Sequence, residues 1–140
     1  MIETDSSSEQ QTLTIQQSLD LAVQHHNAGD LPKAEGVYQQ ILQTEPNQPV
    51  ALHLLGVIAY QVGKYDIAVE LIGKALAVNP DFAEAHSNLG AALADLGRQQ
   101  DAANSFRKAL TIRPNYAKAH NNLGNALKEL GDLDDTNLQK

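Results

Sequence analysis

The segment AHSNLG at residues 85–90 returns as AHNNLG at residues 119–124, and the 34-residue interval between the two copies decides the fold. The same interval separates the members of three further series, namely Pro46, Pro80 and Pro114; Gly29, Gly63, Gly97 and Gly131; and Ala34, Ala68 and Ala102. Because independent series share one period, the sequence predicts a tandem array of one structural unit, each copy stacked on its neighbours.

Each unit is predicted to contain two helices. In residues 83–116, apolar side chains recur at steps of three and four residues, the spacing of one helix face; they are Ala85, Leu89, Ala92, Leu93 and Leu96. Gly97 is expected to end the first helix, because glycine adopts the left-handed C′ conformation without a clash. Pro114 is expected to end the second helix, since proline lacks a backbone donor.

The residue after each proline is expected to cap the next helix; these residues are Asn47, Asp81 and Asn115. In the first unit, Asp30 is expected to cap the second helix, with Pro32 in its first turn.

One glycine series falls inside the first helix of each unit, at Gly56, Gly90 and Gly124. Glycine within a helix costs about 0.5–1 kcal/mol relative to alanine, so its recurrence there indicates a packing role. We expect the paired helix to cross at close range at these glycines, with Ala34, Ala68 and Ala102 as the facing small side chains. The first unit departs from this pattern, because it carries Ala22 in place of the glycine.

Composition and charge exclude several classes of protein. The 140 residues are 42% hydrophobic, contain no cysteine and carry a formal charge of −7, most of it in residues 1–48. Disulfides and cysteine-ligated metals are therefore excluded. An acidic balance argues against a nucleic-acid partner, and no apolar run is long enough for a membrane span. The polar, acidic residues 1–12 are predicted to be disordered and are unlike a signal peptide, which indicates a cytoplasmic protein without a membrane partner.

No catalytic constellation emerges from the sequence. Phosphate-binding, dinucleotide-binding, zinc-protease and nucleophile-elbow motifs are all missing, so we predict a non-enzymatic protein without a cofactor or a metal site. His86 and His120 lie one period apart, but equivalent atoms of adjacent repeats are roughly 10 Å apart, too far for shared ligation at roughly 2 Å. Packed, hydrogen-bonded histidines are therefore favoured over metal ligands.

The 34-residue period, the Leu-Gly pair, the alanines and the terminal proline resemble the tetratricopeptide-repeat family. The strings AHSNLG and AHNNLG, with NPDFAEA at 79–85 and RPNYAKA at 113–119, are similar to the repeat domains of O-linked N-acetylglucosamine transferases and their bacterial relatives. The resemblance implies an all-α fold, a right-handed superhelix (an α-solenoid) of antiparallel helix pairs. It divides a domain at residues 13–131 into repeats at 15–48, 49–82, 83–116 and a partial fourth at 117–131.

The same resemblance implies that the first helix of each repeat lines a concave groove, which is where a protein or peptide partner would bind. Repeats one and two offer an apolar patch, made of Leu19, Val23, Leu54, Val57 and Tyr60, with Asp20 and His53 beside it. Repeats three and four offer a polar floor, made of Asn88, Asn121, Asn122 and Asn125. An asparagine amide can pair with both polar groups of a peptide unit, so this floor could hold an extended chain by its backbone. The alternative is that these asparagines are solvated helix positions.

A second peptide-binding mode of this family, a basic clamp for a terminal carboxylate, is not expected here. The positions that would carry the clamp hold Leu19, Val23, Glu84 and Asn88. We therefore predict a protein-interaction scaffold that binds an extended segment of a partner. The alternatives are the substrate-recruiting arm of a larger glycosyltransferase and a self-assembling repeat module.

The fourth repeat is incomplete in the sequence. Gly131 is expected to end its first helix, and residues 132–140 are expected to form a frayed or truncated start of its second helix, with Thr136 where alanine is typical. Residues 117–130 then either cap the array or continue into further repeats of a longer protein. An exposed C-terminal repeat also allows self-association with another copy.

Overall fold

A computed structural model describes residues 13–138, and the side chains of residues 13–131 within that range. The predicted disordered segment at 1–12 lies outside the described residues. Seven α-helices and no strand occupy the described range. In chain order the helices are α1 (Ile15–Asn27), α2 (Leu31–Thr44), α3 (Pro49–Gln61), α4 (Tyr65–Val78), α5 (Ala83–Asp95), α6 (Gln99–Ile112) and α7 (Ala117–Leu138).

The helices pack in chain order as three pairs followed by a single helix. Helix α1 packs on α2, α3 on α4 and α5 on α6, while each pair also contacts the next and α7 packs on α6. Three clusters of buried apolar residues follow one another along the array, each shared between neighbouring repeats. The prediction of an all-α solenoid of helix pairs is confirmed.

The turn between the helices of a pair is built in the same way in all three repeats. Gly29, Gly63 and Gly97 have φ values of +82°, +84° and +82°, in the left-handed region that favours glycine. In the third repeat, the Arg98 N–H donates to the Leu93 carbonyl (2.9 Å), which closes the C-terminal end of α5. The predicted role of these glycines as helix terminators is confirmed.

The N-caps predicted for α3 and α5 lie one residue before the observed ones. Helix α3 is capped by Gln48, whose side chain accepts from the Ala51 N–H (2.9 Å), and α5 begins after Phe82. The expected caps Asn47 and Asp81 are wrong, because the proline and the residue after it form a turn before the helix starts. Asp30 does cap α2, accepting from the Lys33 N–H at 3.3 Å.

Close helix crossing at the mid-helix glycines is confirmed in repeats two and three. A β-carbon added to Gly56 would lie 2.7 Å from Ile72 Cγ1, and one added to Gly90 would lie 2.5 Å from Phe106 Cε1. The closest facing group is therefore a large side chain, four residues beyond the alanine that the sequence pattern singled out. Ala68 still contributes, because its carbonyl oxygen lies 3.4 Å from the same point at Gly56.

The fourth repeat differs from the expectation at Gly131. Helix α7 continues through this residue to Leu138 instead of turning back, so the predicted start of a second helix at 132–140 is wrong as far as Leu138. A glycine inside a helix costs only about 1 kcal/mol, and within the described chain no further helix packs back on α7 to favour a turn. One face of α7 is consequently uncovered: Leu127 is 42% exposed, whereas the equivalent Leu93 is 5% exposed.

Candidate functional site

Side-chain hydrogen bonds join the first helices of successive repeats, and two of them join residues that are 35 apart. His26 Nε2–H donates to Gln61 Oε1 (2.8 Å) from α1 to α3, and Asn88 Nδ2 donates to His53 Nε2 (2.8 Å) from α5 to α3. Because the repeat is 34 residues long, each bond joins one position of a repeat to the following position of the next. These bonds mark the surface along α1, α3, α5 and α7, which we call the groove.

His53 lies beneath the groove surface. Its side chain is 2% exposed, and its ring contacts the Phe82 ring edge-on with 4.6 Å between centroids. Burial lowers the pKa of His53 to about 4; Lys118 adds to this effect, and Glu84 opposes it. The neutral imidazole accepts from Asn88 and so positions that amide, while its buried ring leaves little surface for direct contact with a ligand.

Asn88 is half-buried at the centre of a hydrogen-bonded chain that crosses three first helices. Its Nδ2 donates to His53 on α3, and its Oδ1 accepts from Lys118 Nζ on α7 at 3.4 Å. A primary amide has two N–H donors and two acceptor lone pairs, so one of each remains available. The arrangement fixes the amide in place while leaving it able to pair with another chain.

A pocket of about 280 Å³ opens in the groove between α5 and α7. Its lining includes Tyr60, Ala94, Asp95, Asn122, Asn125 and Glu129. The structure thus brings together three residues of the predicted site, Tyr60, Asn122 and Asn125, although they come from different halves of the chain.

The remaining predicted site residues lie apart from the pocket. Asn121 is exposed on α7, and Asp20 is exposed on α1, where its Oδ1 accepts from Gln16 Nε2 (3.0 Å). Leu54 packs against the core cluster that repeats one and two share, and Val57 is half-buried on α3. Leu19, expected in the apolar patch, is 5% exposed and belongs to that core, so its assignment to the groove surface is wrong.

Asp95 and Glu129 were missed as site residues by sequence reasoning. They occupy the thirteenth position of repeats three and four, so two carboxylates 34 residues apart were the available signal. The Asp95 carboxylate, within hydrogen-bonding reach of the Tyr60 hydroxyl, raises the pKa of Tyr60 to about 12, with burial adding to the effect. The phenol therefore keeps its proton and orients the carboxylate.

The repeated histidines have a structural role. His86 Nε2–H donates to the Pro80 carbonyl and His120 Nε2–H donates to the Pro114 carbonyl, both at 2.7 Å. Each bond ties a first helix to the turn that precedes it, which confirms the prediction of hydrogen-bonded histidines. Among the described residues, no group of three or more potential ligands is placed to hold a metal ion. No described helix is both long enough and apolar enough to span a membrane.

Two family models described as tetratricopeptide repeat match the sequence, over residues 53–117 and 105–136. A curated relative, the probable UDP-N-acetylglucosamine–peptide N-acetylglucosaminyltransferase SEC of Arabidopsis thaliana, is 37% identical over 71 residues. That match covers 51% of this chain but 7% of the relative. The chain thus spans a small part of the transferase that it resembles.

Comparison with solved structures also identifies an O-GlcNAc transferase as similar to this chain. An O-GlcNAc transferase from Thermobaculum terrenum is 35% identical with a TM-score of 0.78, over 81% of this chain and 22% of the transferase. A MamA structure is 29% identical with a TM-score of 0.71, over 88% of this chain and 67% of MamA. The first TPR of Spaghetti, bound to an HSP90 peptide, shares only the fold, at 21% identity and a TM-score of 0.80, over 84% of this chain and 93% of that one. With a matching period, fold and family models over more than half of its length, the chain belongs to the tetratricopeptide-repeat family.

Proposed function

We propose that this chain is a non-enzymatic, cytoplasmic interaction scaffold that binds an extended segment of a partner protein in the groove. The observation that carries the proposal is the placement of Asn88 and Asn122 at equivalent, half-buried positions of successive repeats, with Asn122 lining an open pocket. Asn88 is held by His53 and Lys118 yet keeps a free donor and a free acceptor. A fixed amide that pays little ordering entropy is well suited to bind a peptide backbone.

The spacing of the two asparagines fits an extended ligand. First helices of neighbouring repeats are about 10 Å apart, and an extended chain advances about 3.3 Å per residue. Asn88 and Asn122 would therefore meet peptide units about three residues apart. Backbone contacts of this kind carry little sequence preference, so specificity would come from the pocket, of which Tyr60 forms one wall, and from Leu54 and Val57 elsewhere in the groove.

The test is binding of an array of extended peptides to the wild type and to Asn122→Ala. This variant removes one amide without disturbing His53, whereas Asn88→Ala also deprives His53 of its partner and costs about 1 kcal/mol of stability. Asn104→Ala on α6, outside the groove, is the matched control. We expect weaker binding across most peptides for Asn122→Ala and unchanged binding for the control. Equal binding by all three proteins would refute the asparagine contacts.

A second candidate function is the substrate-recruiting arm of a glycosyltransferase. It is favoured by the 35% identity to the Thermobaculum terrenum enzyme, of which this chain covers 22%. Sequencing the complete reading frame tests it directly. A nucleotide-sugar-binding domain in the same frame would support this function, and a frame without one would exclude it.

Self-association is favoured by the uncovered face of α7. A β-carbon at Gly124 would meet nothing within 4 Å, and Leu127 next to it is exposed. In an antiparallel pair of α7 helices, Leu127 of one copy can lie over Gly124 of the other. Sedimentation velocity should show concentration-dependent association that Leu127→Glu abolishes and that Val78→Glu, at another exposed apolar residue, leaves intact. A strict monomer at every concentration would refute self-association.

A further inference from the structure

The pocket between α5 and α7 exists because two side chains of the third repeat are small. Repeat two carries Val57 and Tyr60 at its ninth and twelfth positions, whereas repeat three carries Ala91 and Ala94. Both alanines line the pocket, and Tyr60 of the preceding repeat forms one wall of it. At about 280 Å³ the pocket is smaller than the roughly 300–1,000 Å³ typical of drug-sized ligands, so it suits one side chain of a bound segment.

The charged groups of the pocket have one sign. Asp95 and Glu129 are its only ionisable acids or bases besides the Tyr60 phenol, and no lysine or arginine lines it. Over residues 13–131, the ion pairs that form involve other carboxylates: those of Asp30, Glu70, Glu84 and Asp101. The pocket therefore presents two carboxylates to solvent, with a cation absent from its walls.

The neutral groups of the pocket add acceptors and an aromatic ring. Gln99, Asn122 and Asn125 supply amide oxygens, and the ring of Tyr60 can attract a cation at its face. A guanidinium group has five N–H donors in a plane and stacks on aromatic rings, whereas an ammonium group has three donors and is more strongly hydrated. The lining of the pocket therefore matches a guanidinium group better than an ammonium group.

We propose that this pocket binds an arginine side chain of the extended segment held in the groove. The guanidinium lies between the Asp95 and Glu129 carboxylates, with Tyr60 along one side and the asparagine amides completing its hydrogen bonds. The proposal rests on the proposed peptide-binding function and adds the residue that the groove selects. It also gives a role to the two groove carboxylates of repeats three and four, Asp95 and Glu129.

Nuclear magnetic resonance titration with N-acetylarginine amide tests the pocket without requiring a known partner. We expect saturable shifts confined to the pocket, with the side-chain amides of Asn122 and Asn125 among those affected. N-acetyllysine amide should bind at least about threefold more weakly, and the neutral isostere N-acetylcitrulline amide should give no saturable shift. Equal binding of the citrulline and arginine compounds would overturn the proposal.

Two further variants test the charge and the shape of the pocket separately. Asp95→Asn with Glu129→Gln keeps the size of the lining and should weaken arginine binding about tenfold. Ala94→Tyr fills the pocket with the residue that repeat two already carries at this position, and should abolish binding. Asp66→Asn, an exposed carboxylate on α4 outside the groove, is the control and should bind like the wild type. Unchanged binding by the charge variant or by Ala94→Tyr would refute the site.

The outcome is distinguishable from that of the proposed function. If extended peptides bind without any preference for arginine, the groove function stands and the arginine pocket is refuted. If the arginine compound binds the pocket while no extended peptide binds the groove, the pocket is supported and the peptide-binding function is refuted.

Discussion

The ring of Phe106 occupies the space into which a side chain on Gly90 would project. An ideal β-carbon at Gly90 would lie 2.5, 2.7 and 2.8 Å from three atoms of that ring, which is itself 1% exposed. A buried aromatic ring cannot move by several tenths of an ångström without displacing its own neighbours. The separation between α5 and α6 therefore depends on the absence of a methyl group at Gly90.

We expect Gly90→Ala to destabilise the protein by about 1–3 kcal/mol, because it overpacks the crossing against Phe106. Gly124→Ala is the matched control, since Gly124 is also inside a helix but its β-carbon would meet nothing within 4 Å. There the change should stabilise by about 0.5–1 kcal/mol through helix propensity alone. Urea denaturation of both variants gives the comparison, and equal effects of the same sign would contradict the packing explanation.

The buried histidine should make stability depend on pH. The pKa of His53 is about 4 in the folded protein and 6.5 in the unfolded chain, so the unfolded state binds more protons between these values. The stabilising contribution of neutral His53 to the free energy of unfolding is therefore fully present above about pH 6.5 and is lost as the pH falls toward 4. Its size is on the order of 3 kcal/mol. Protonation would place a second donor against Asn88 Nδ2 and break their hydrogen bond.

The measurement is urea denaturation of the wild type and of His53→Leu at pH 7 and near pH 4.5. We expect the wild type to lose more stability than the variant over this interval, because the variant has no buried imidazole to protonate. Glu84 and Lys118, the charged groups that act on His53, are present in both proteins. An identical loss in the two proteins would show that His53 is not the group responsible.

The hydroxyl of Tyr38 should be dispensable. Tyr38 is 0% exposed, its hydroxyl has no hydrogen-bond partner among the described residues, and burial raises the pKa of Tyr38 to about 12. Leaving a buried polar group unpaired costs about 1–3 kcal/mol, so Tyr38→Phe should stabilise the protein by about 1 kcal/mol. Thermal unfolding should give a raised midpoint for Tyr38→Phe and a lowered one for Tyr60→Phe, which loses its interaction with Asp95. The reverse order would contradict this explanation.

The bond between His53 and Asn88 should couple the two residues energetically. A double-mutant cycle with His53→Leu and Asn88→Ala should give a coupling energy of about 1 kcal/mol, because the bond is partly buried. The corresponding cycle for His26 and Gln61, whose bond is solvent-exposed, should give a smaller value. Equal coupling in the two cycles would mean that burial does not strengthen this contact.

The architecture could be predicted from the sequence because its signal is repeated. A glycine at each turn has a local steric cause, and three copies make that inference secure. The helix crossings rest on two glycines, Gly56 and Gly90, because a β-carbon at Gly124 would meet nothing within 4 Å. The register of the N-caps could not be predicted, because Gln48 and Asn47 are both acceptable caps and the turn around Pro46 decides between them. The path of α7 past Gly131 depends on whether a second helix packs there, which is a tertiary contact rather than a local preference.

The candidate site was only partly predictable for a similar reason. A position on the first helix indicates that a side chain faces the groove, but not how deeply it lies. Leu19 and His53 share the fifth position of their repeats, and both are buried. The pocket arises because the side chains of Ala91 and Ala94 are small. Its two carboxylates come from neighbouring repeats, so they line one pocket only when those repeats are packed together.

The small residues that open the pocket, Ala91 and Ala94, are not the ones that set the helix crossings. The glycines and alanines that hold each helix pair together lie at other positions of the repeat, so the ninth and twelfth positions can change independently of folding. Exchanging large and small residues at these two positions would close the cavity in one repeat and open it in another. The ligand-binding pocket of such an array can thus be moved from one repeat to the next, 34 residues along the chain. Recognition is therefore modular, both in evolution and in engineering.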